Sequence, residues 1–189
     1  MPKTIRNILI VFLIVAILFC VCNALDIKTR ILKQLYPRTY SEYVVKYSNE
    51  CGVDPLLVYA VIKAESNFDK DVVSSRNAKG VMQLMDKTAE EVAGNMVILD
   101  DYNSEMLFDA ETNIKIGTKY LSELIEKYKS YQVAVAAYNA GTGTVDRWIE
   151  MGTIKADGSD IEKIPYKETN MYVRKIIRDY EIYKNLYKE

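Results

Sequence analysis

The segment 54–65, with the sequence DPLLVYAVIKAE, carries the clearest helix signal in the chain. Asp54 is a typical N-cap residue, and Pro55 suits the first helical position because its missing N–H would be unpaired there anyway. Apolar residues then recur at helical spacing, and Glu65 continues their stripe. The segment therefore predicts a buried helix that ends on a carboxyl group on its apolar side.

Similar start and stop signals recur along the chain on both sides of this helix. They predict further helices between Ser41 and Gly52, between Asp86 and Gly94, from Asp109 to about Tyr128, from Tyr131 to Asn139, from Thr142 to Glu150, and over residues 168–187. Residues 67–80 are polar and irregular, which predicts a loop, and residues 95–108 are ambiguous. Strand-like alternation is nearly absent apart from a possible small hairpin around residues 157–158. The predicted fold class is all-α.

Composition limits the chemistry that this chain can perform. Its 189 residues suit one compact domain with a short extension, and 25 basic against 26 acidic residues give a net charge of −1. No broad basic face is expected, so nucleic acid is not an expected partner. The sequence contains no histidine, which excludes Ser-His-Asp catalysis and histidine-based zinc sites. An enzyme of this composition must use carboxylates, tyrosines or lysines.

The N-terminus contains an uninterrupted apolar run from Ile8 to Cys22, preceded by Lys3 and Arg6. Extended to Leu25, the run would measure roughly 27 Å as a helix, which is enough to cross a thin membrane. One interpretation is a single-pass anchor with a cytoplasmic N-terminus, which the leading cations favour. The other is a signal peptide cleaved near residues 22–24, which gives a secreted protein.

Both interpretations place the rest of the chain outside the cytoplasm. The predicted organisation is an anchor or signal over residues 1–25, a stalk over 26–40 and a folded domain over 41–189. Residues 8–25 would contact the membrane.

Glu65 is the leading candidate for a catalytic group. Its apolar neighbours on the helix predict desolvation, and the helix C-terminus also disfavours a negative charge, so both effects raise the pKa of its carboxyl group. A carboxylic acid that keeps its proton near neutral pH is suited to general acid catalysis. The alternative is a glutamate in a fraying last turn that bends out to solvent.

Four short blocks place Glu65 in a wider pattern. They are AESNF at residues 64–68, GVMQLM at 80–85, AAYNAG at 136–141, and Glu168 followed by Tyr172 and Val173. Together, in this order, they resemble the catalytic domain of the soluble-type lytic transglycosylases, which are relatives of goose-type lysozyme. The resemblance covers residues 41–187.

The resemblance implies a lysozyme-like α-helical fold and cleavage of the β-1,4 bond between N-acetylmuramic acid and N-acetylglucosamine in peptidoglycan. It implies that Glu65 acts first as the acid and then as the base. The C6 hydroxyl of the muramic acid closes onto C1 and forms a 1,6-anhydro ring without consuming water. No metal or cofactor is expected. The expected partners are peptidoglycan glycan strands and the membrane, with the protein as a monomer.

The resemblance also implies a set of substrate-binding residues: Ser74, Gln83, Met85, Tyr138, Asn139, Glu168 and Tyr172. Several have other interpretations. The serine could be Ser75, Met85 could be core filler, Asn139 could brace the turn at Gly141, and Glu168 could serve only as a charge at a helix N-terminus.

The block at residues 80–85 also has a predicted conformation. Gly80 would let the backbone pass close to the sugar or to the catalytic helix. In an extended segment, Gln83 and Met85 would face the cleft, while Met82 and Leu84 would face the core.

Two other functions remain open from the sequence. A hydrolytic muramidase on the same fold would need a second carboxylate, for which Asp69, Asp71 and Asp101 are candidates. A non-catalytic glycan-binding module of a wall-spanning assembly is the third possibility.

Overall fold

The computed structural model describes residues 2–96 and 102–187, and the secondary structure in these ranges is helical. The described residues form no β-strand, and their only bridges are isolated pairs between Val73 and Lys79 and between Lys79 and Leu84. The predicted all-α class is confirmed. The region of the possible hairpin contains turns and a short 3₁₀ helix, Ile161–Lys163, instead of paired strands.

Eight α-helices lie within the described residues. They are α1 (Lys3–Leu35), α2 (Ser41–Cys51), α3 (Pro55–Glu65), α4 (Asp86–Gly94), α5 (Ala110–Tyr128), α6 (Tyr131–Ala140), α7 (Thr142–Glu150) and α8 (Lys167–Leu186). A second 3₁₀ helix covers Ser104–Phe108. The ambiguous region 95–108 thus contains this 3₁₀ helix, while residues 97–101 lie outside the described ranges.

The chain divides into two compact units, Met1–Pro37 and Arg38–Glu189. The first unit is built from α1, whose apolar segment is long enough and apolar enough to cross a membrane, and whose described apolar side chains are mostly exposed.

The core of the second unit is built around α3. Residues 57–62 of this helix are all at most 1% exposed, so α3 is buried on nearly every side. It packs against α8, which also contacts α6, while α5 packs against both α2 and α6. The predicted cap is confirmed, because Oδ1 of Asp54 accepts a hydrogen bond of 2.8 Å from the N–H of Leu56.

The loop between α3 and α4 is fixed to α5 by one buried amide. Asn113 is fully buried, and its Oδ1 accepts a hydrogen bond from the N–H of Met82 at 2.8 Å. Its Nδ2 donates to the carbonyl oxygens of Lys79 and Leu107 at 2.9 and 2.8 Å. A β-carbon on Gly80, whose φ is +75°, would lie 2.2 Å from Nδ2 of Asn113. Gly80 therefore allows close approach to α5, and the prediction that it faces the sugar or the catalytic helix was wrong.

The same loop turns where the sequence predicted an extended segment. Gln83 has a positive φ of 48°, and its side-chain amide donates to the carbonyl oxygens of Val72 and Gly80 at 3.0 and 2.9 Å. These bonds hold a turn that reverses the chain. The predicted facing is nevertheless confirmed, since Met82 and Leu84 are buried and Met85 is 44% exposed.

Candidate active site

Glu65 is the last residue of α3 and lies in a cleft of about 350 Å³. The cleft is lined by ten described residues: Glu65, Ser74, Ser75, Arg76, Ala78, Gln83, Met85, Tyr138, Asn139 and Glu168. Ser66 joins the end of α3 to the next loop, because its hydroxyl donates to the carbonyl oxygen of Val81 at 2.8 Å. This bond gives Ser66 a structural role at the end of the helix that carries Glu65.

Two tyrosines from different helices surround the Glu65 carboxyl group. Tyr172 of α8 donates its hydroxyl hydrogen to Oε1 of Glu65. Tyr138 of α6 donates to the backbone carbonyl of Met82 at 2.8 Å, and its ring lies 5.2 Å from that of Tyr120. Glu65 is thus partly buried beside these tyrosines, while it also lines the cleft.

Burial is the main cause of a raised pKa at Glu65. Desolvation raises the pKa of Glu65 from 4.5 to about 7, although the Tyr172 hydrogen bond and the charge of Lys175 both oppose the rise. Lys175 also caps the end of α3, because its Nζ donates to the carbonyl oxygen of Ala64 at 3.1 Å. Glu65 is therefore about half protonated at neutral pH and can exchange its proton with a bound group.

The two tyrosines cannot act as bases at the same pH. Burial raises the pKa of the Tyr138 and Tyr172 hydroxyls well above their usual value, and the nearby Glu65 acts in the same direction. Both phenols therefore stay protonated at neutral pH, so they can form hydrogen bonds with a bound group but cannot remove a proton from it. Glu65 is left as the group in this cluster that can exchange a proton near neutral pH.

The structure brings the predicted site residues together, with one difference in position. Seven line the cleft: Glu65, Ser74, Gln83, Met85, Tyr138, Asn139 and Glu168. Tyr172 lies behind Glu65 and contacts it directly instead of lining the cleft. Ser75 also lines the cleft, so the choice between the two serines stays open. The Ser74 hydroxyl already accepts hydrogen bonds from the backbone N–H groups of Arg76 and Ala78.

The contacts and exposure of three of these residues bear on their alternative interpretations. Met85 is 44% exposed, so it is not core filler. Oδ1 of Asn139 accepts a hydrogen bond of 2.7 Å from the hydroxyl of Thr169, so Asn139 braces α8 instead of the Gly141 turn. Glu168 forms an ion pair with Arg76 at 3.3 Å and lies in the first turn of α8, where a negative charge is favourable, so both interpretations of this residue stay open.

The carboxylates that the sequence offered as a second catalytic group lie elsewhere. Asp69 and Asp71 are exposed and do not line the cleft. Asp69 accepts a hydrogen bond from the backbone N–H of Asp71, whose carboxylate pairs with Lys70. Asp101 lies outside the described residues. Among the described residues that line the cleft, the second carboxylate is Glu168.

Sequence reasoning missed three residues that shape this site: Arg76, Asn113 and Lys175. Asn113 left a usable signal, because it is an amide inside the buried face of a helix and must find partners there. Arg76 and Lys175 left none, since only the fold brings them to the cleft and to the end of α3.

The fold and the site define a lysozyme-like α-helical domain with a half-buried carboxyl group in a cleft. Comparison with known proteins gives the family. The model of the transglycosylase SLT domain matches residues 42–160, and the chain belongs to this family.

Characterised relatives show the same relationship. The chain is 31% identical over 148 residues to the soluble lytic murein transglycosylase of Salmonella typhimurium, covering 77% of this chain and 23% of that protein. It is 36% identical over 118 residues to the membrane-bound lytic murein transglycosylase C of Edwardsiella ictaluri, covering 57% of this chain and 33% of that protein.

A solved structure of a relative has a similar fold to this chain. It is an inactive mutant of the lytic transglycosylase Slt of Pseudomonas aeruginosa in which a glutamate is replaced by glutamine. The match has a TM-score of 0.72 at 30% identity and covers 79% of this chain and 24% of that one. The chain thus spans about a quarter to a third of the length of these relatives.

Proposed function

We propose that this chain is a peptidoglycan lytic transglycosylase that cleaves the β-1,4 bond between N-acetylmuramic acid and N-acetylglucosamine. The observation that carries the proposal is the Glu65 carboxyl group, which has a pKa of about 7 and opens on a cleft. Family membership and the activity named for the relatives support the choice of substrate. The inactive glutamate-to-glutamine mutant of the Pseudomonas relative supports a glutamate as the essential group.

The first half of the reaction uses Glu65 as the acid. Its carboxyl group gives its proton to the glycosidic oxygen while the bond from that oxygen to C1 of the muramic acid breaks. The departing N-acetylglucosamine keeps this proton as its new hydroxyl hydrogen. The N-acetyl carbonyl of the substrate supports the positive charge that develops at C1, as in other substrate-assisted enzymes.

The second half uses Glu65 as the base. Its carboxylate removes the proton of the C6 hydroxyl of the same muramic acid, and the C6 oxygen bonds to C1. The product carries a 1,6-anhydro ring, and the carboxyl group regains its proton without water being consumed. The Tyr172 hydrogen bond to Oε1 stabilises the carboxylate between the two halves.

The cleft-lining residues would hold the glycan on either side of the bond that breaks. In this role we place Ser74, Gln83, Met85, Tyr138, Asn139 and Glu168, with Tyr172 positioning Glu65 from behind. Residues 8–25 would anchor the chain in the membrane with the catalytic domain outside the cytoplasm, or would serve as a cleaved signal for secretion. The membrane-bound relative from Edwardsiella supports the anchor. We propose that the protein acts as a monomer on glycan strands.

A hydrolytic muramidase is the second candidate, and one observation favours it. Glu168 also lines the cleft and could activate a water molecule. Against this role, the Glu168 carboxylate is paired with Arg76 and exposed to solvent.

Product analysis separates the candidates. Purified peptidoglycan is digested with the full chain in water enriched in oxygen-18, and the fragments are examined by mass spectrometry. The proposal predicts 1,6-anhydromuramic acid ends without heavy oxygen. Reducing muramic acid ends that carry heavy oxygen would instead show hydrolysis, and intact strands that remain bound to the protein would show a binding module.

A further inference from the structure

One ion pair joins two separate elements that line the cleft. The Arg76 side chain leaves the loop between α3 and α4, and its Nη2 lies 3.3 Å from Oε2 of Glu168 on the first turn of α8. Both residues line the cleft with Glu65. Their side chains are 72% and 69% exposed, so the pair faces solvent.

The backbone that carries Arg76 is held in place by its neighbours. The Ser74 hydroxyl accepts hydrogen bonds from the N–H groups of Arg76 and Ala78 at 3.3 and 3.0 Å. The N–H of Ser74 donates to the carbonyl oxygen of Ala78 at 2.9 Å. The guanidinium group is therefore carried by an ordered turn, while the exposed side chain beyond it can change partner.

Arg76 is the cationic group among the described residues that line the cleft. The carboxyl groups that line the cleft with it are those of Glu65 and Glu168. An ion pair this exposed to solvent is weak, so a ligand can replace Glu168 at small cost. A planar guanidinium group binds carboxylates through two parallel hydrogen bonds, which gives Arg76 a preferred kind of ligand.

We propose that Arg76 is a specificity-determining residue that binds a carboxylate of the glycan substrate in exchange for Glu168. The inference rests on the proposed function, because it concerns a ligand in the same cleft. The carboxylate has two chemical sources in a muramic acid unit: the lactyl group when no peptide is attached, and the acidic residues of the peptide when one is. Glu168 occupies the arginine when the cleft is free of substrate.

Binding in a background without turnover tests this proposal. The Glu65→Gln chain is titrated with three ligands: a peptide-free glycan with free lactyl carboxylates, a peptide-bearing glycan, and a neutral N-acetylglucosamine oligomer of equal length. Arg76→Gln is expected to weaken binding of at least one acidic glycan by about tenfold while leaving the neutral oligomer unchanged. The acidic glycan that loses affinity identifies the source of the carboxylate.

Three further variants sharpen the test. Arg76→Lys keeps the charge but not the planar fork, so it should lose less affinity than Arg76→Gln. Glu168→Gln removes the competing carboxylate and should favour the acidic over the neutral ligand. Arg174→Gln makes the same charge change outside the cleft-lining residues and should alter none of the affinities.

Two outcomes would overturn the inference, and they can be told apart. If all three ligands bind and Arg76→Gln weakens none of them, or weakens all equally, Arg76 does not read a carboxylate and the proposed function is unaffected. If the folded Glu65→Gln chain binds none of the glycans, both the inference and the proposed function are wrong. Far-ultraviolet circular dichroism of each variant confirms that the helices are retained.

Discussion

The two ends of α3 carry the same pair of groups in opposite settings. At the N-terminus, Oδ2 of Asp54 accepts a hydrogen bond of 2.6 Å from the Tyr180 hydroxyl. At the C-terminus, Oε1 of Glu65 accepts a hydrogen bond from the Tyr172 hydroxyl, and both tyrosines belong to α8. Asp54 also accepts the N–H of Leu56, at the helix end that favours negative charge. Glu65 lies at the end that disfavours it.

A hydrogen bond from a tyrosine thus accompanies two different settings of a carboxyl group. At Asp54 the partner completes a cap, and the result is stability. At Glu65 desolvation outweighs the same contact, and the pKa rises to about 7. The difference arises from burial and from the helix end, so each end should respond differently to the same change.

Removing the ionisable group at the C-terminal end should have the largest effect. Glu65→Gln keeps the shape of the side chain but cannot transfer a proton, so we expect peptidoglycan cleavage to fall by about a thousandfold. The rate of anhydromuramic acid formation measures this loss. Glu126→Gln makes the same change on an exposed part of α5 and should cleave at the normal rate. Glu65→Gln with activity close to that of the unchanged chain would exclude Glu65 as the acid.

Glu65 should make the free energy of unfolding fall as the pH rises, whereas an ordinary ion-paired carboxylate makes it rise. Its pKa is 4.5 when unfolded and about 7 when folded, so the folded chain binds more protons between these values. The free energy of unfolding should therefore fall by about 3 kcal/mol as the pH rises through this window. Urea unfolding measures it, and Glu65→Gln should lack this contribution. Equal pH dependence in both chains would show that the carboxyl group is not buried as described.

A change at the N-terminal end of α3 should alter the stability of the protein but not its activity. Asp54→Ala removes the cap to Leu56 and the partner of Tyr180, so the free energy of unfolding should fall by about 1–2 kcal/mol. Cleavage should be unchanged under conditions where the chain stays folded, because an 11-residue helix separates this end from Glu65 by about 16 Å. Asp54→Asn is the matched control, since asparagine also caps helices. A large loss of activity in folded Asp54→Ala would contradict the separation of roles.

Substitution of Tyr172 or Tyr180, the two tyrosine partners at the ends of α3, should have the smallest and most selective effects. Tyr172→Phe removes a hydrogen bond that favours the ionised form of Glu65, so the pKa of Glu65 should rise and the alkaline limb of the pH–activity profile should move to higher pH. Tyr180→Phe should leave the profile unchanged and lower the free energy of unfolding by about 1 kcal/mol. The comparison fails if Tyr172→Phe moves the alkaline limb to lower pH, or if Tyr180→Phe moves it at all.

Much of this arrangement could be predicted from local sequence. The Asp54-Pro55 start, the apolar stripe and the position of Glu65 at its end depend on residues within one helix, and their helical spacing carries that information. The conformation of the 80–85 block was predicted less well, because its turn depends on Asn113 and on the side-chain amide of Gln83. Asn113 is distant in sequence from this block, and the hydrogen bond of the Gln83 amide belongs to an irregular turn, which hydrophobic periodicity cannot predict.

The site shows the same division. The resemblance identified seven of the ten cleft-lining residues as candidates, but the position of Tyr172 behind Glu65 depends on how α8 packs against α3. Arg76 stands in a polar loop where nothing local distinguishes it from other surface cations. Its pairing with Glu168, 92 residues further along, follows from tertiary structure alone.

The proposed chemistry requires that Glu65 exchange its proton near neutral pH. The most direct measurement is the pH titration of its side-chain carboxyl carbon by ¹³C nuclear magnetic resonance, with the signal assigned by its absence in Glu65→Gln. The account predicts a midpoint near 7. A midpoint near 4.5, the value of an ordinary glutamate, would contradict it.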